Sequence, residues 1–235
     1  MHLKIIRTLT GLLSFAFLVV FAAACGNEPD TSGPRPTPEA SGSFTFFNIG
    51  KNSVITSQVK RNLEKILGDA AVEHRGILSL EINYKDFLKD HFPELDRMNR
   101  QLNSSIGLQV KHRIVRRMYR YAGQKGLPYD LVELLYSERS EKPILIRLYL
   151  KTTGLEALKT LEQKYGPPGT LEWGPENAAS RFWQKEGDYL FFSTVPRWGS
   201  RVEYRIDIYF TAAIEALIQA EKSERKPATS GKTGF

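Results

Sequence analysis

The chain has 235 residues, with 33 Lys and Arg against 26 Asp and Glu, and its formal net charge is +7. Hydrophobic residues make up 41% and charged residues 25%, proportions that are typical of globular proteins. This composition excludes collagen-like, wholly disordered and disulfide-rich classes. The single Cys also excludes an intramolecular disulfide and a multi-thiolate metal cluster.

The first 24 residues have the pattern of a secretory signal. Lys4 and Arg7 precede an apolar run over residues 12–24, which is shorter than the roughly 20 residues that a membrane span needs. The run ends in Ala22-Ala23-Ala24-Cys25, which resembles the lipobox of bacterial lipoproteins, with Ala22 where Leu is usual. An ordinary cleaved signal followed by an unmodified Cys is the alternative.

The lipoprotein resemblance covers the first tenth of the chain. It implies that residues 1–24 are removed and that Cys25 is acylated with palmitate-like chains. The membrane would then be a partner through acylated Cys25, on the exported side of the bacterial cell envelope. Gly26, rather than Asp, follows the Cys and favours the outer membrane if the cell has two membranes.

Residues 25–44 predict a tether. They contain four Pro and almost no apolar side chains before Phe44, and as polyproline II they would span up to about 60 Å. We expect a single folded domain over residues 45–221, because no internal repeat or second linker follows. Residues 222–235 are polar and without periodicity, which predicts a disordered tail.

In the first half of the domain the apolar pattern is mainly helical. A helix is predicted over 54–67, and alternating apolar residues over 78–82 predict a strand. Residues 84–103 predict a helix in two pieces, because Pro93 fits a helix start better than an interior. Residues 108–124 predict a further helix.

The second half shows clearer strand signals. Ile144 to Leu150 alternate as in a strand with one buried face, and a capping box at Thr153 predicts a helix that ends at Gly166. Three more strands and a closing helix from Thr211 follow; the strands are predicted over residues 181–186, 189–195 and 202–210. The order β-α-β-β-β-α predicts an α+β fold: an antiparallel sheet of about four to five strands with helices packed on one side.

One group of side chains could support hydrolysis or metal binding. Asp86, Asp90, His91 and Glu94 lie within nine residues and would offer carboxylates beside an imidazole. Interleaved Lys residues favour a solvated helix face instead. No complete catalytic motif occurs, so we assign no catalytic residue, no metal and no cofactor.

The charge distribution provides the strongest functional signal. Residues 97–129 contain eight Lys and Arg and no acidic residue. On the predicted helix 108–124, Arg113, Arg116, Arg117 and Arg120 would fall within an arc of about 100°. Such a stripe is either solvated, docked on the domain's own acidic surface, or bound to an anionic lipid, glycan or acidic envelope protein. Nucleic acid is not expected, because the chain is exported.

A weaker signal is Trp198, which lies between two Arg in the predicted hairpin loop 196–201 and could be an interface aromatic. Together these features predict a lipid-anchored cell-envelope protein that acts as a binding or assembly module rather than as an enzyme. An envelope hydrolase using the Asp/His/Glu group is one alternative. A carrier of an apolar ligand is the other, since a helix-covered sheet suits that role.

Overall fold

The α+β class is confirmed, and the sheet is larger than predicted. The computed structural model describes residues 43–69, 71–103, 110–120, 122–151, 155–174, 178–197 and 201–225. Within these ranges the chain forms one antiparallel sheet of eight strands and five α-helices, in place of the predicted four to five strands. The strand order is β1-β2-β3-β4-β8-β7-β6-β5.

The elements have the following bounds. The strands are β1 (Ala71–Arg75), β2 (Ile114–Tyr119), β3 (Tyr129–Ser137), β4 (Pro143–Leu150), β5 (Gly169–Glu172), β6 (Ala179–Lys185), β7 (Asp188–Arg197) and β8 (Arg201–Tyr209). The helices are α1 (Ser57–Leu67), α2 (Phe87–His91), α3 (Pro93–Leu102), α4 (Leu155–Tyr165) and α5 (Thr211–Arg225). A single 3-10 turn over Ala122–Lys125 precedes β3.

Both faces of the sheet are covered, so the prediction of helices on one side is wrong. Leu190 and Ile208 belong to a core with α1 and α4, and we call their side of the sheet the α4 face. Phe191 and Tyr209 belong to a second core with α2, α3 and α5, on the α5 face. The central strands carry apolar side chains at successive positions, such as Leu145 and Ile146, and therefore need cover on both sides.

The helix predicted over 108–124 is wrong. Residues 114–119 form β2, which pairs with β1 on one side and with β3 on the other. Arg is a good helix former, but Ile114, Val115 and Tyr119 around the arginines favour a strand and bury their side chains in the sheet. Because successive strand residues point to opposite faces, Arg116 and Arg117 are separated by the sheet.

The strand predicted over 78–82 is also wrong, although its alternation is observed. Leu78, Leu80 and Ile82 are buried while Ser79 and Glu81 are exposed. The segment is extended but joins no ladder. Instead, Tyr209 Oη donates to the Leu80 carbonyl at 2.7 Å, and Leu80 N donates to Asn99 Oδ1 at 3.1 Å. These side-chain contacts satisfy the backbone that a neighbouring strand would otherwise pair.

Several element ends follow the sequence signals. Pro93 begins α3, and Gly68 caps the C-terminus of α1. Helix α4 ends before Gly166, whose φ of 85° suits a helix C-terminus. Glu186 and Gly187 form the two-residue turn between β6 and β7, with φ angles of 50° and 85°. They join β6 and β7 as a hairpin.

The domain begins in the core. Phe44, the last residue of the predicted tether, is fully buried and packs edge-on against Tyr165 with ring centroids 5.1 Å apart. Buried Asp188 accepts hydrogen bonds from Ser43 Oγ at 2.8 Å and from Thr211 N at 2.9 Å. One carboxylate therefore fixes the start of the domain and caps the first turn of α5.

Candidate functional site

Helix α4 covers the α4 face of the sheet without packing closely against it. Its inward side carries Ala157, Leu158, Leu161 and Tyr165, and each of these side chains is only half-buried. The sheet residues beneath it are buried, with Ile208 2% and Leu148 1% exposed. The capping box predicted at Thr153 lies outside the described residues. The helix therefore stands off from the sheet over part of its length.

A cavity of about 370 Å³ lies between α4 and the sheet. Its floor is aliphatic and comes from three central strands: Leu148, Leu150, Leu190, Ile206 and Ile208. Ala157 and Leu161 of α4 form its roof, and Phe46 and Tyr129 form part of its wall. Burial raises the pKa of the Tyr129 hydroxyl, as expected for an apolar site. The volume lies in the usual range for small-molecule sites.

Polar residues line the opening of this cavity. Glu156 and Lys164 line it eight residues apart on α4, which places them about 12 Å apart along the helix axis. Lys164 Nζ donates to Thr45 Oγ1 at 3.0 Å, so the cationic end adjoins the first residues of the domain. The cavity thus combines an aliphatic interior with an acidic and a basic end.

A second cavity of about 390 Å³ lies on the other flank of α4. Leu158, Phe192 and Tyr204 contribute apolar lining, and Arg181 and Glu172 contribute charges. With a cavity on each flank and no fully buried side chain over residues 156–165, α4 has little packing to hold it. Segments with few buried apolar contacts open most easily, so α4 is suited to admit a ligand to the sheet.

The predicted Arg stripe does not exist, because its helix is a strand. Arg117 lies on the α4 face and donates to Glu64 at 2.5 Å and Glu73 at 3.0 Å. Arg116 lies on the opposite face and pairs with Glu133, while Arg113 Nε lies 3.5 Å from Glu224. Arg120 is exposed. Three of the four guanidinium groups therefore contact the domain's own carboxylates.

The α5 face holds a buried ionic cluster that the sequence pattern does not predict. Asp207 is fully buried and accepts hydrogen bonds from Arg147 and from Arg205, the latter at 2.8 Å. Asn83 accepts from Arg205 at 3.1 Å and donates to Ser180 at 2.9 Å. The alternation of residues 144–150 predicts a strand with one buried face, which would leave Arg147 in solvent. The only sequence signal for a buried cluster is that Arg147, Arg205 and Asp207 lie on strands with apolar residues on both faces.

Three members of the predicted Asp/His/Glu group contact two different tyrosines. Tyr84 Oη donates to Asp90 at 3.2 Å and lies 3.1 Å from His91 Nε2. Burial and the Asp90 hydrogen bond raise the pKa of Tyr84. Glu94 instead accepts from Tyr189 Oη at 3.0 Å. Among the described residues, no group of three or more His, Cys, Asp or Glu side chains is placed to hold a metal ion.

Two predicted site residues, Cys25 and Trp198, lie outside the described residues. None of the helices that the structure describes combines the length and apolar character needed to cross a bilayer. Comparison of the chain with family profiles, with curated proteins and with solved structures found no match.

Proposed function

We propose that this protein is a lipid-anchored component of a bacterial cell envelope that binds the hydrocarbon chain of a lipid in the cavity beneath α4. The anchor rests on Ala22-Ala23-Ala24-Cys25 and on the Pro-rich segment after it. Acyl labelling that disappears when Cys25 is replaced by Ala would support the anchor. Label retained by that variant would contradict it.

The observation that carries the binding proposal is the aliphatic floor of the cavity. Leu and Ile side chains would stabilise a flexible hydrocarbon chain by burying its apolar surface. They do not require the ligand to contain a ring of a particular shape. A buried methylene contributes about 0.8 kcal/mol, so a chain of about nine methylenes would contribute about 7 kcal/mol before the cost of immobilisation. We therefore expect dissociation constants in the micromolar range or weaker.

The position of the tether supports a ligand that comes from the membrane. Thr45 and Phe46, which follow directly after the predicted tether, line the cavity. The lining of the cavity therefore includes the first residues after the predicted tether. Among the three functions that the sequence suggested, the carrier of an apolar ligand is therefore the one that this geometry favours.

We expect Ala157→Trp to fill the cavity and to weaken binding of decanol at least about tenfold, because the indole replaces the hydrocarbon beneath α4. The matched control is Lys159→Trp, which adds the same ring to the exposed side of the same helix. Both changes are made in the full chain carrying Cys25→Ala, so that no covalent acyl group competes. Binding is measured by isothermal titration calorimetry.

The control should bind decanol like the parent chain. If Ala157→Trp also keeps the parent affinity, the cavity is not the binding site and the proposed function fails. Circular dichroism of both variants verifies that each is folded before the titrations are compared.

A further inference from the structure

Two lysines flank one aromatic ring where α4 ends. Lys164 Nζ lies 4.9 Å and Lys185 Nζ 5.1 Å from the centroid of the Tyr165 ring. The two ammonium groups are therefore no more than about 10 Å apart. Lys164 also lines the cavity and donates to Thr45. One cation, Lys164, thus lies at one end of an apolar cavity, and the second, Lys185, lies within about 10 Å of the first.

No carboxylate of the described residues neutralises the charge of this pair. Within the part of the chain that the structure describes, neither Lys164 nor Lys185 forms an ion pair with a carboxylate. The acid beside Lys185 in sequence, Glu186, is paired with Lys51 instead. Glu162 lies two positions before Lys164 on α4, and residues at that spacing do not face each other on a helix.

The opposite end of the cavity has the opposite charge. Glu156 lines the cavity in the first turn of α4, about 12 Å along the axis from Lys164. An anion would be repelled at the Glu156 end and attracted at the Lys164 end. The two ends therefore favour one orientation of a ligand that has a hydrocarbon tail and a negative head.

Resting on the proposed function, we infer that the ligand is an anionic amphiphile. Its hydrocarbon chain lies beneath α4, and its carboxylate or phosphate lies beside Lys164 and Lys185. Ammonium groups bind either anion by charge-assisted hydrogen bonds, so this chemistry alone does not separate a fatty acid from a lipid phosphate. The ion pairs between the ligand's head and the two lysines would lie near the surface. The preference for an anion should therefore weaken as the salt concentration rises.

The test compares three ligands that share one chain: decanoate, decyl phosphate and decanol. The full chain with Cys25→Ala should bind the two anions about tenfold more tightly than the alcohol at low salt. Lys164→Gln combined with Lys185→Gln should remove this preference, so that the variant binds the three ligands with similar affinities. Lys89→Gln combined with Lys159→Gln changes the net charge equally at exposed sites and should keep the preference.

The outcomes separate this inference from the proposed function. Equal binding of all three ligands by the parent chain would overturn the inference about the headgroup and leave the cavity as a hydrocarbon site. A preference for anions that survives in the Lys164/Lys185 variant would also overturn it, since the head would then lie elsewhere. Binding of none of the three ligands would defeat the proposed function itself. If decanoate alone shows the preference, the head is a carboxylate; if decyl phosphate alone does, it is a phosphate.

Discussion

Replacing Asp207 by Asn should lower the free energy of unfolding by about 3–5 kcal/mol, as expected when one member of a buried ion pair is removed. Asp207 is fully buried in β8 and accepts hydrogen bonds from both Arg147 and Arg205. Asn keeps the shape of the side chain but removes its charge. The buried guanidinium group of Arg205 and the half-buried one of Arg147 would then lose their shared carboxylate.

The same carboxylate predicts how stability changes with pH. Burial alone would raise the pKa of Asp207, but Arg205 and Arg147 beside it outweigh burial and lower the pKa below its usual range. The unfolded chain therefore binds a proton at Asp207 more readily than the folded chain does. The stabilisation is present above the unfolded pKa of about 4 and is lost as pH falls through the lower folded value.

Urea denaturation at neutral pH and near pH 3 measures both effects. Asp207→Asn should have a much lower midpoint at neutral pH and should lose less stability on acidification than the parent chain. Asp130→Asn is the matched control, because Asp130 is exposed on β3 and its variant should unfold like the parent. Equal midpoints for Asp207→Asn and Asp130→Asn would show that the ionic cluster does not stabilise the fold.

Replacing Phe191 by Ala should also destabilise the protein by about 3–5 kcal/mol, through the cavity that it leaves in the α5-face core. Phe191 is fully buried, and its ring centroid lies 4.7 Å from that of Phe92 and 5.7 Å from that of Tyr209. The core it supports lies across the sheet from α4. Decanol affinity should therefore be unchanged under conditions where the variant is folded.

Thermal and urea unfolding measure the loss of stability, and calorimetric titration measures binding by the same variant. Val202→Ala provides a control, because Val202 is 45% exposed and its truncation should cost little. A Phe191→Ala chain that remains as stable as the control would contradict the packing of this core. Lost decanol binding by a folded Phe191→Ala chain would contradict the location of the ligand on the α4 face.

Local signals predicted the second half of the domain well. The alternation of apolar and polar residues in β4, β6, β7 and β8 is a local property of each strand. Gly187 supplies the positive φ that the turn between β6 and β7 needs. The first half failed where contacts distant in sequence decide the structure. Arg117 is stabilised in β2 by Glu64 and Glu73, and a local periodicity does not contain that information. A helix was therefore predicted where β2, the second strand of the sheet, lies.

The candidate site was predicted in part only. The apolar stripe of α4 was visible from Leu158, Leu161 and Tyr165. The cavity was not, because its lining is assembled from α4, from residues 45 and 46, and from strands far apart in the chain. Nothing in the sequence shows that α4 stands off from the sheet. The sequence also does not show that Lys164 and Lys185 lie together at Tyr165, since Lys164 belongs to α4 and Lys185 to β6.

The location of a bound hydrocarbon chain is the most direct test of the central claim. A photoreactive fatty acid with a diazirine near the end of its chain would be crosslinked to the full chain carrying Cys25→Ala, and the adducts mapped by mass spectrometry. We predict adducts in peptides from α4 and β8, such as those containing Leu161 or Ile206. These adducts should be lost in the Ala157→Trp variant. Adducts confined to α5, or an unchanged pattern in Ala157→Trp, would contradict binding beneath α4.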